Sequence, residues 1–390
     1  MRTQVGIVGA GPAGLMLSHL LHLNGIESVI VEERSRAYCE SRVRAGLIEQ
    51  WARDLIVKVG LGERLQREGL LHQGIKLNFG TGLHAIDFVG LVGRAVTIYG
   101  QQELVKDMMA RRLEADGGRI VFEAEQVSVH DLDGERPKIR FRHEGHPDEI
   151  ECDFIGGCDG FHGICRPSIP DGVLTLHERK YPFAWAGILT ESPPPDEQLI
   201  YCSHQRGFAL FSMRSPNVGR FYVQCGRDES EEDWPDERMW EELHARLNGA
   251  RPLMQGKVLQ KLVAPLRSFA VEPMQFGRLF LAGDSAHIVP PTGAKGMNLA
   301  IADVLVLSRA IAEFYKTRRT EQLVTYSQTC LRRMWKAQRF SWWMTQMLHR
   351  FPDESSFDRR RREAEMDYVT SSHAASMTLA ENYTGLPMDI

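Results

Sequence analysis

The sequence predicts a mixed α/β fold, in which a parallel-sheet domain carries an inserted antiparallel sheet and runs on into a helical C-terminal region. Three observations predict it. The first 32 residues alternate strand, helix and strand; beyond Pro182 the texture changes to short strands joined by turn residues; and after Arg278 a strand followed by a long helix restores the first pattern. At 390 residues the chain exceeds the roughly 250–300 at which one hydrophobic core stops growing, so more than one lobe is expected.

Each element follows from local chemistry. Gln4 to Gly9 is an apolar run, and Pro12 to Asn24 places Leu15, Leu17, Leu20 and Leu21 on a helix that Gly25 ends before a second strand at Val29 to Val31. Gln101 to about Ala115 reads as a helix. Arg119 to Phe122, Gln126 to Val129 and Lys138 to Phe141 read as strands, with Asp131 to Gly134 as a turn, and Phe154 to Gly157 is a buried strand leading into Asp159-Gly160. Antiparallel strands are predicted at Trp185 to Thr190, Gln198 to Cys202, Phe208 to Arg214 and Arg220 to Cys225, with a turn at Ser215 to Gly219. A helix over Asp236 to Leu247, a strand over Arg278 to Ala282 and a helix from Gly296 follow. Glu321 to Tyr368 is mostly helical and suited to an interface. This divides the chain into a discontinuous α/β domain (1–71, 98–180 and 268–318), a sheet domain (72–97 and 181–267) and a C-terminal helical region (319–390).

Composition narrows the function. A net charge of -4 with dispersed cations carries no nucleic-acid footprint, and Arg359 to Arg362 reads as a solvated helix face. No run of about 18 apolar residues exists and the N-terminus enters a strand without a leader, so a cytoplasmic protein that does not meet the membrane is expected. Seven cysteines, at 39, 152, 158, 165, 202, 225 and 330, form no CxxC pair and no zinc spacing, which predicts reduced thiols and no metal site.

Gly9-Ala-Gly11-Pro-Ala-Gly14 follows a strand and opens a helix, the context in which glycines let the backbone approach a pyrophosphate at a helix N-terminus. Glu32, at the end of the second strand, is placed for a ribose. A tight turn without ligand is the alternative. Asp284 comes directly off a strand, and Gly293 to Asn298, including Met297, opens a helix; together they suit the ribityl chain and ring of a flavin, or Asp284 is a helix cap. Ser212 and Arg214 alternate on one strand, as do Arg220 and Tyr222 on the next. That is equipment for a carboxylate, or a surface ion pair beside a core aromatic.

GAGPAG at 9–14, CDGFHG around Asp159 and LAGDSAHIVPPTGAKGMN around Asp284 resemble the three fingerprints of class A flavoprotein aromatic hydroxylases. The segments YPFAW, RGFAL, APLRSF, VEPMQ, RFSWWMTQMLHRFP and ENYTGLP are similar to their 4-hydroxybenzoate 3-monooxygenase family, from Thr3 to Pro387. The resemblance implies a Rossmann-like domain holding noncovalent FAD through Gly9, Gly11, Gly14, Glu32, Arg42, Arg44, Gln101, Asp159, Arg220, Asp284, Met297 and Asn298. It implies NADPH or NADH as electron donor, O2 as co-substrate, a flavin C4a-hydroperoxide and conversion of 4-hydroxybenzoate to 3,4-dihydroxybenzoate by a homodimer. Ser212, Arg214 and Tyr222 match the carboxylate-binding residues. Tyr201 and Tyr383 match the pair at the substrate hydroxyl, His72 the histidine that links them to solvent and titrates near neutrality, and Pro291 and Thr292 the loop over the flavin. His162, Arg166 and Arg267 match residues for the pyridine nucleotide. Arg34, Arg36 and Tyr38 lie in the segment that tunes NADPH against NADH, where Glu33 adds repulsion to a 2'-phosphate. A flavin-dependent halogenase and a noncatalytic flavin-binding protein are the rival readings; the Trp-x-Trp-x-Ile-Pro signature of the halogenase is absent from the sequence.

Overall fold

The computed structural model describes residues 1–388 except 45 and 81. Its first sheet has six strands. Val5–Val8 lies in the middle, parallel to Ser28–Val31 on one side and to Phe154–Gly157 on the other. Arg119–Val121 and Leu279–Leu281 extend the sheet in parallel, and Gln275–Phe276 closes it antiparallel. Val5–Val8, Ser28–Val31 and Phe154–Gly157 are buried at every residue, as expected for strands covered on both faces. Helices Pro12–His22 and Gly296–Thr317 pack on one another beside this sheet, so the two predicted nucleotide-binding segments begin close together.

The second large sheet has eight strands, and towards one edge it carries a pair longer than the sequence suggests: Thr175–Glu191 and Lys257–Glu272. Sequence reading found only the stretch over Trp185 to Thr190 and missed Lys257–Glu272 altogether. Thr175–Lys180 is exposed at every residue and shows no inward and outward alternation, while Pro265 interrupts the pattern of its partner. Pairing between distant segments, not local propensity, stabilises them. Val218–Gly226, Gly207–Ser215 and Leu199–His204 continue the sheet antiparallel, Gly74–Phe79 joins Leu199–His204 in parallel, and Gly82–Asp87 forms the edge. At the other edge His287–Ile288, three residues beyond Asp284, pairs with Phe269 and Ala270. One sheet therefore reaches from the inserted region to the flavin-type turn.

Smaller departures have local causes. The helix expected over Gln101 to about Ala115 is α-helical over Gln101–Ala110 and ends in a π turn, Arg111–Ala115, where buried Arg112 reaches across to Ser18 Oγ at 3.1 Å. His146–Glu151 adds an unanticipated strand to a three-stranded antiparallel sheet. The basic run is not wholly a solvated face. Arg359, Arg360 and Arg361 are exposed, but Arg362 is buried, 2.7 Å from both Glu354 and Ser203 Oγ. All seven cysteines are free, six of them buried. Among the described residues no helix is long and apolar enough to cross a membrane, and no group of three His, Cys, Asp or Glu side chains is arranged for a metal ion.

Candidate active site

At the nucleotide end the site is made of backbone. Gly9 has φ +101°, and a Cβ there would meet the Cys158 carbonyl oxygen at 2.4 Å; a Cβ on Gly14 would lie 1.9 Å from the Gly9 oxygen. Gly11 differs, because a Cβ would meet nothing within 4 Å. That open space faces the start of helix Pro12–His22, which has no side-chain cap and no acid in its first turn. Its unpaired amides and positive dipole end form an anion cradle. Glu32 braces the cradle, accepting the Ala10 amide at 2.7 Å and the Arg34 amide at 2.8 Å. These residues fit a dinucleotide pyrophosphate and its ribose.

Asp284 lies in a short turn, Gly283–Ser285, anchored by Ser285 Oγ donating to the Gly157 carbonyl at 2.6 Å. Its carboxylate is open to solvent, yet burial pushes its pKa up, and His287, Arg44 and Arg42 pull it back. A group that water reaches although protein surrounds it lies on the floor of a cleft. Arg44 is in the same position: it is exposed, burial lowers its pKa, and Arg42, Asp284, Tyr38 and Tyr222 all act on it electrostatically. Asp284, Arg42, Arg44 and Tyr222, taken from three distant parts of the sequence, therefore share one cleft. Helix Gly296–Thr317 starts without a side-chain cap, and space is open at Gly296.

The other predicted flavin residues divide. Met297 and Gln101 are half-buried at helix starts. Asp159 Oδ2 accepts the Cys165 amide at 2.8 Å, while Oδ1 is buried without a partner. Asn298, expected at the flavin, has a bracing role here. Its amide accepts from Glu49 N at 2.9 Å and donates to the Leu47 carbonyl at 3.0 Å, locking the helix start to the segment after Arg44.

The substrate end is made of side chains on one sheet face. Tyr201 pairs with Leu210, Leu210 with Tyr222, and Ser212 with Arg220 across the ladder. Because paired residues share a face and alternate residues return to it, Tyr201, Ser212, Arg220 and Tyr222 all project the same way, while Arg214 stands at a bulge in its strand, where Tyr222 and Arg220 act on it electrostatically. Gly187 is opposite Tyr222, and a Cβ there would meet the tyrosine ring at 2.6 Å, so glycine makes room for that ring.

The two arginines are unequally committed. Arg220 is buried and donates to Tyr222 Oη at 3.1 Å and Gln260 Oε1 at 3.0 Å. Arg214 donates Nη2 to the Arg44 carbonyl at 3.3 Å, but its Nε is buried with no partner, and burial lowers its pKa. A desolvated guanidinium with an unsatisfied donor is poised for an anion.

Tyr201 and Tyr383 meet at 2.5 Å between hydroxyls, and Tyr201 Oη donates to the Thr292 carbonyl at 3.3 Å. Tyr383 therefore donates to Tyr201 in this arrangement. Burial pushes both phenols well above their ordinary pKa. Thr292 is buried and Pro291 exposed in a short turn, and a Cβ on Gly293 would meet Ser341 Oγ at 2.5 Å, so the turn sits tightly on helix Tyr326–Leu348. His72 is buried, and neither ring nitrogen has a hydrogen-bond partner. Burial lowers its pKa to about 4, so it is neutral at pH 7 and does not titrate near neutrality as the sequence led one to expect.

The residues expected for the pyridine nucleotide form two groups. Phe161 is flanked by Arg166 at 4.8 Å and Arg267 at 4.5 Å, with exposed His162 next to it. Arg34 lies over the Tyr38 ring at 5.5 Å and 3.7 Å from Glu33. Arg36 is held by Glu40 at 2.7 Å and Glu114 at 2.9 Å, which offsets the attraction expected of it. Among the described residues no hydrogen bond or ion pair joins the two groups.

Sequence reading missed a buried network around Lys295, which contacts Glu49 and donates to the Tyr383 carbonyl at 3.1 Å; Arg333 reaches the same Glu49 at 3.2 Å. Only the oddity of a lysine within an apolar, glycine-rich helix start signals it.

Comparison with known proteins gives the family and the fold. A family model described as an FAD binding domain matches residues 2–341. The chain is 48% identical over 393 residues to p-hydroxybenzoate hydroxylase of Acinetobacter baylyi, covering 100% of this chain and 97% of that protein. The crystal structure of p-nitrophenol 4-monooxygenase PnpA from Pseudomonas putida DLL-E4 superposes with a TM-score of 0.81 over 99% of both chains at 17% identity. CmlS, a flavin-dependent halogenase, superposes at 0.74 over 100% of this chain and 75% of its own, with 17% identity. The last two show the fold alone, and that fold serves more than one chemistry. The family model and the 48% identity over the whole chain go further: the chain belongs to the FAD-binding aromatic hydroxylases, in the family of p-hydroxybenzoate hydroxylase.

Proposed function

We propose that this protein hydroxylates 4-hydroxybenzoate at the carbon ortho to its hydroxyl, consuming NADPH or NADH, O2 and a proton and yielding 3,4-dihydroxybenzoate, water and the oxidised nucleotide. The observation that carries this reading is the buried, partnerless Nε of Arg214, within reach of Tyr222, on the sheet that also carries Tyr201 of the Tyr201–Tyr383 pair. Arg214, with Ser212 and Tyr222, binds the carboxylate by charge-assisted hydrogen bonds. Tyr201 accepts or donates at the para hydroxyl and passes the proton on to Tyr383, so that the ring reacts as phenolate; neutral His72 is the next station toward solvent.

FAD would be held by the Gly9–Gly14 cradle, Glu32, Arg42, Arg44, Asp284 and the start of helix Gly296–Thr317. When bound it supplies the two-electron acceptor for hydride and the centre that activates O2. The turn at Pro291 to Gly293 keeps water from the reacting ring. His162, Arg166 and Arg267 are the residues proposed to receive the pyridine nucleotide, with the segment 34–38 tuning its choice. We further propose a cytoplasmic homodimer with the three-part domain division given above, the C-terminal helices supplying the interface.

The deciding experiment is aerobic NADPH and NADH consumption with and without 4-hydroxybenzoate, with the product identified by mass. Substrate-stimulated consumption with stoichiometric 3,4-dihydroxybenzoate is expected. Equal consumption without the aromatic acid, or no hydroxylated product, overturns the reading.

A further inference from the structure

Behind the Asp284 turn lies a buried ion pair that the reaction as described does not use. His287 and Asp303 are each 2% exposed, and His287 Nε2 lies 2.7 Å from Asp303 Oδ2. The same carboxylate oxygen accepts the Gly283 amide at 2.9 Å. Gly283 has φ +65°, the left-handed conformation that sends the chain sharply into Asp284. Asp303 stands on the second turn of helix Gly296–Thr317, whose first turn lies at the cleft. One carboxylate thus grips the residue before Asp284 and the residue three after it, and ties both to the helix.

The charges are arranged to keep this grip. Burial alone would neutralise the imidazole, but Asp303, and after it Asp284, outweigh burial, so His287 is held above its ordinary pKa. His287 is also a strand residue, paired with Ala270 at the end of the eight-stranded sheet. Ser285 Oγ adds a third fixing point on the Gly157 carbonyl. The adenosine end of the cleft has its own bracing: Glu32 on the Ala10 and Arg34 amides, and glycine packing at Gly9 and Gly14.

We infer that Asp303 and His287 are positioning residues for Asp284, fixing its carboxylate for the ribityl half of FAD and leaving the adenosine half untouched. This rests on the assignment of FAD to the cleft. Both are buried behind the turn and act through it. Asp303→Asn keeps an oxygen for the Gly283 amide but presents no charge to the imidazole.

Calorimetric titration of the apoprotein with FAD, and separately with ADP, tests the idea without turnover. In Asp303→Asn the Kd for FAD should rise about tenfold or more while that for ADP stays within about twofold. Asp284→Ala should show the same selectivity. The double variant should be no weaker than Asp284→Ala alone, because residues acting through one group are not additive. Equal loss of FAD and ADP, additive losses, or unchanged FAD affinity overturns the inference. Should Asp303→Asn not fold, His287→Gln, which retains a donor toward Asp303 without charge, should give a smaller FAD-selective loss, and unchanged FAD affinity in it overturns the inference equally. Parent apoprotein that binds ADP but not FAD would instead overturn the cofactor assignment.

Discussion

The two ends of the cleft are built from different materials. The nucleotide end uses backbone: open space over Gly11, uncapped amides and two helix starts. The substrate end uses side chains carried on three neighbouring strands, with Arg214 left partly unsatisfied and Tyr201 and Tyr383 in contact. A backbone site tolerates almost no change at its glycines but is indifferent to charge at most other positions. A side-chain site can be altered one function at a time.

The largest effect expected from this contrast is at Gly11. A Cβ there meets no protein atom within 4 Å, so the Gly11→Val apoprotein should fold and melt as the parent does, yet its side chain would fill the cradle. FAD affinity should fall at least about a hundredfold, or about 2.7 kcal/mol, in a fluorescence-quenching titration. A variant that retains FAD would show that the cradle is not where the pyrophosphate lies.

Next is Arg214→Ala, which should raise the Kd for 4-hydroxybenzoate about ten- to a hundredfold and leave FAD affinity unchanged, since a charge-assisted bond of roughly 1.5–3 kcal/mol is lost. Neutral 4-hydroxybenzyl alcohol should bind parent and variant alike. If both ligands weaken together, Arg214 supports the sheet instead of the carboxylate.

His72 sharpens the comparison through pH. Its folded pKa of about 4 lies below the unfolded value near 6.5, so the unfolded chain binds the extra proton first. The stability this contributes is complete above pH 6.5 and is lost as pH falls toward 4, at about 1.4 kcal/mol per pH unit. His349, lowered to about 3 by burial, acts in the same direction. His72→Gln should flatten the dependence of urea-unfolding free energy on pH in that window by about that slope; an unchanged slope would mean His72 is not held neutral.

The smallest effect concerns the nucleotide. Arg36 is neutralised by Glu40 and Glu114, and Glu33 and Arg34 are exposed and therefore screened. Both NADH and NADPH should support turnover, with kcat/KM values within about tenfold of each other. Glu33→Gln should move the ratio toward NADPH. A parent preference above about a hundredfold, or no movement in the variant, removes this segment from recognition.

The same contrast explains what could be read in advance. Backbone sites announce themselves as spacing, because glycines and a helix start must stand at fixed intervals; Gly9 to Gly14 and Glu32 were legible for that reason. Ser212, Arg214, Arg220 and Tyr222 were legible as a face, since alternation along a strand is local. The meeting of Tyr201 with Tyr383, 182 residues away, was not local and came from resemblance alone. Lys257–Glu272 and the exposed half of Thr175–Glu191 escaped because their stabilisation lies in cross-strand pairing. The low pKa of His72 and the grip of Asp303 on Gly283 escaped because burial and long-range contact leave no mark on composition.

The two long strands also bear on how the molecule comes apart. Thr175–Glu191 and Lys257–Glu272 pair on both sides of residues 180 and 267, and the sheet they belong to runs from Gly82–Asp87 to His287–Ile288. Cutting the chain at those points would sever this ladder in mid-course and divide the eight-stranded sheet between the two lobes. Heating should therefore melt the nucleotide lobe and the inserted sheet in one cooperative step, with release of yellow colour and loss of the β-sheet dichroism coinciding at a single temperature.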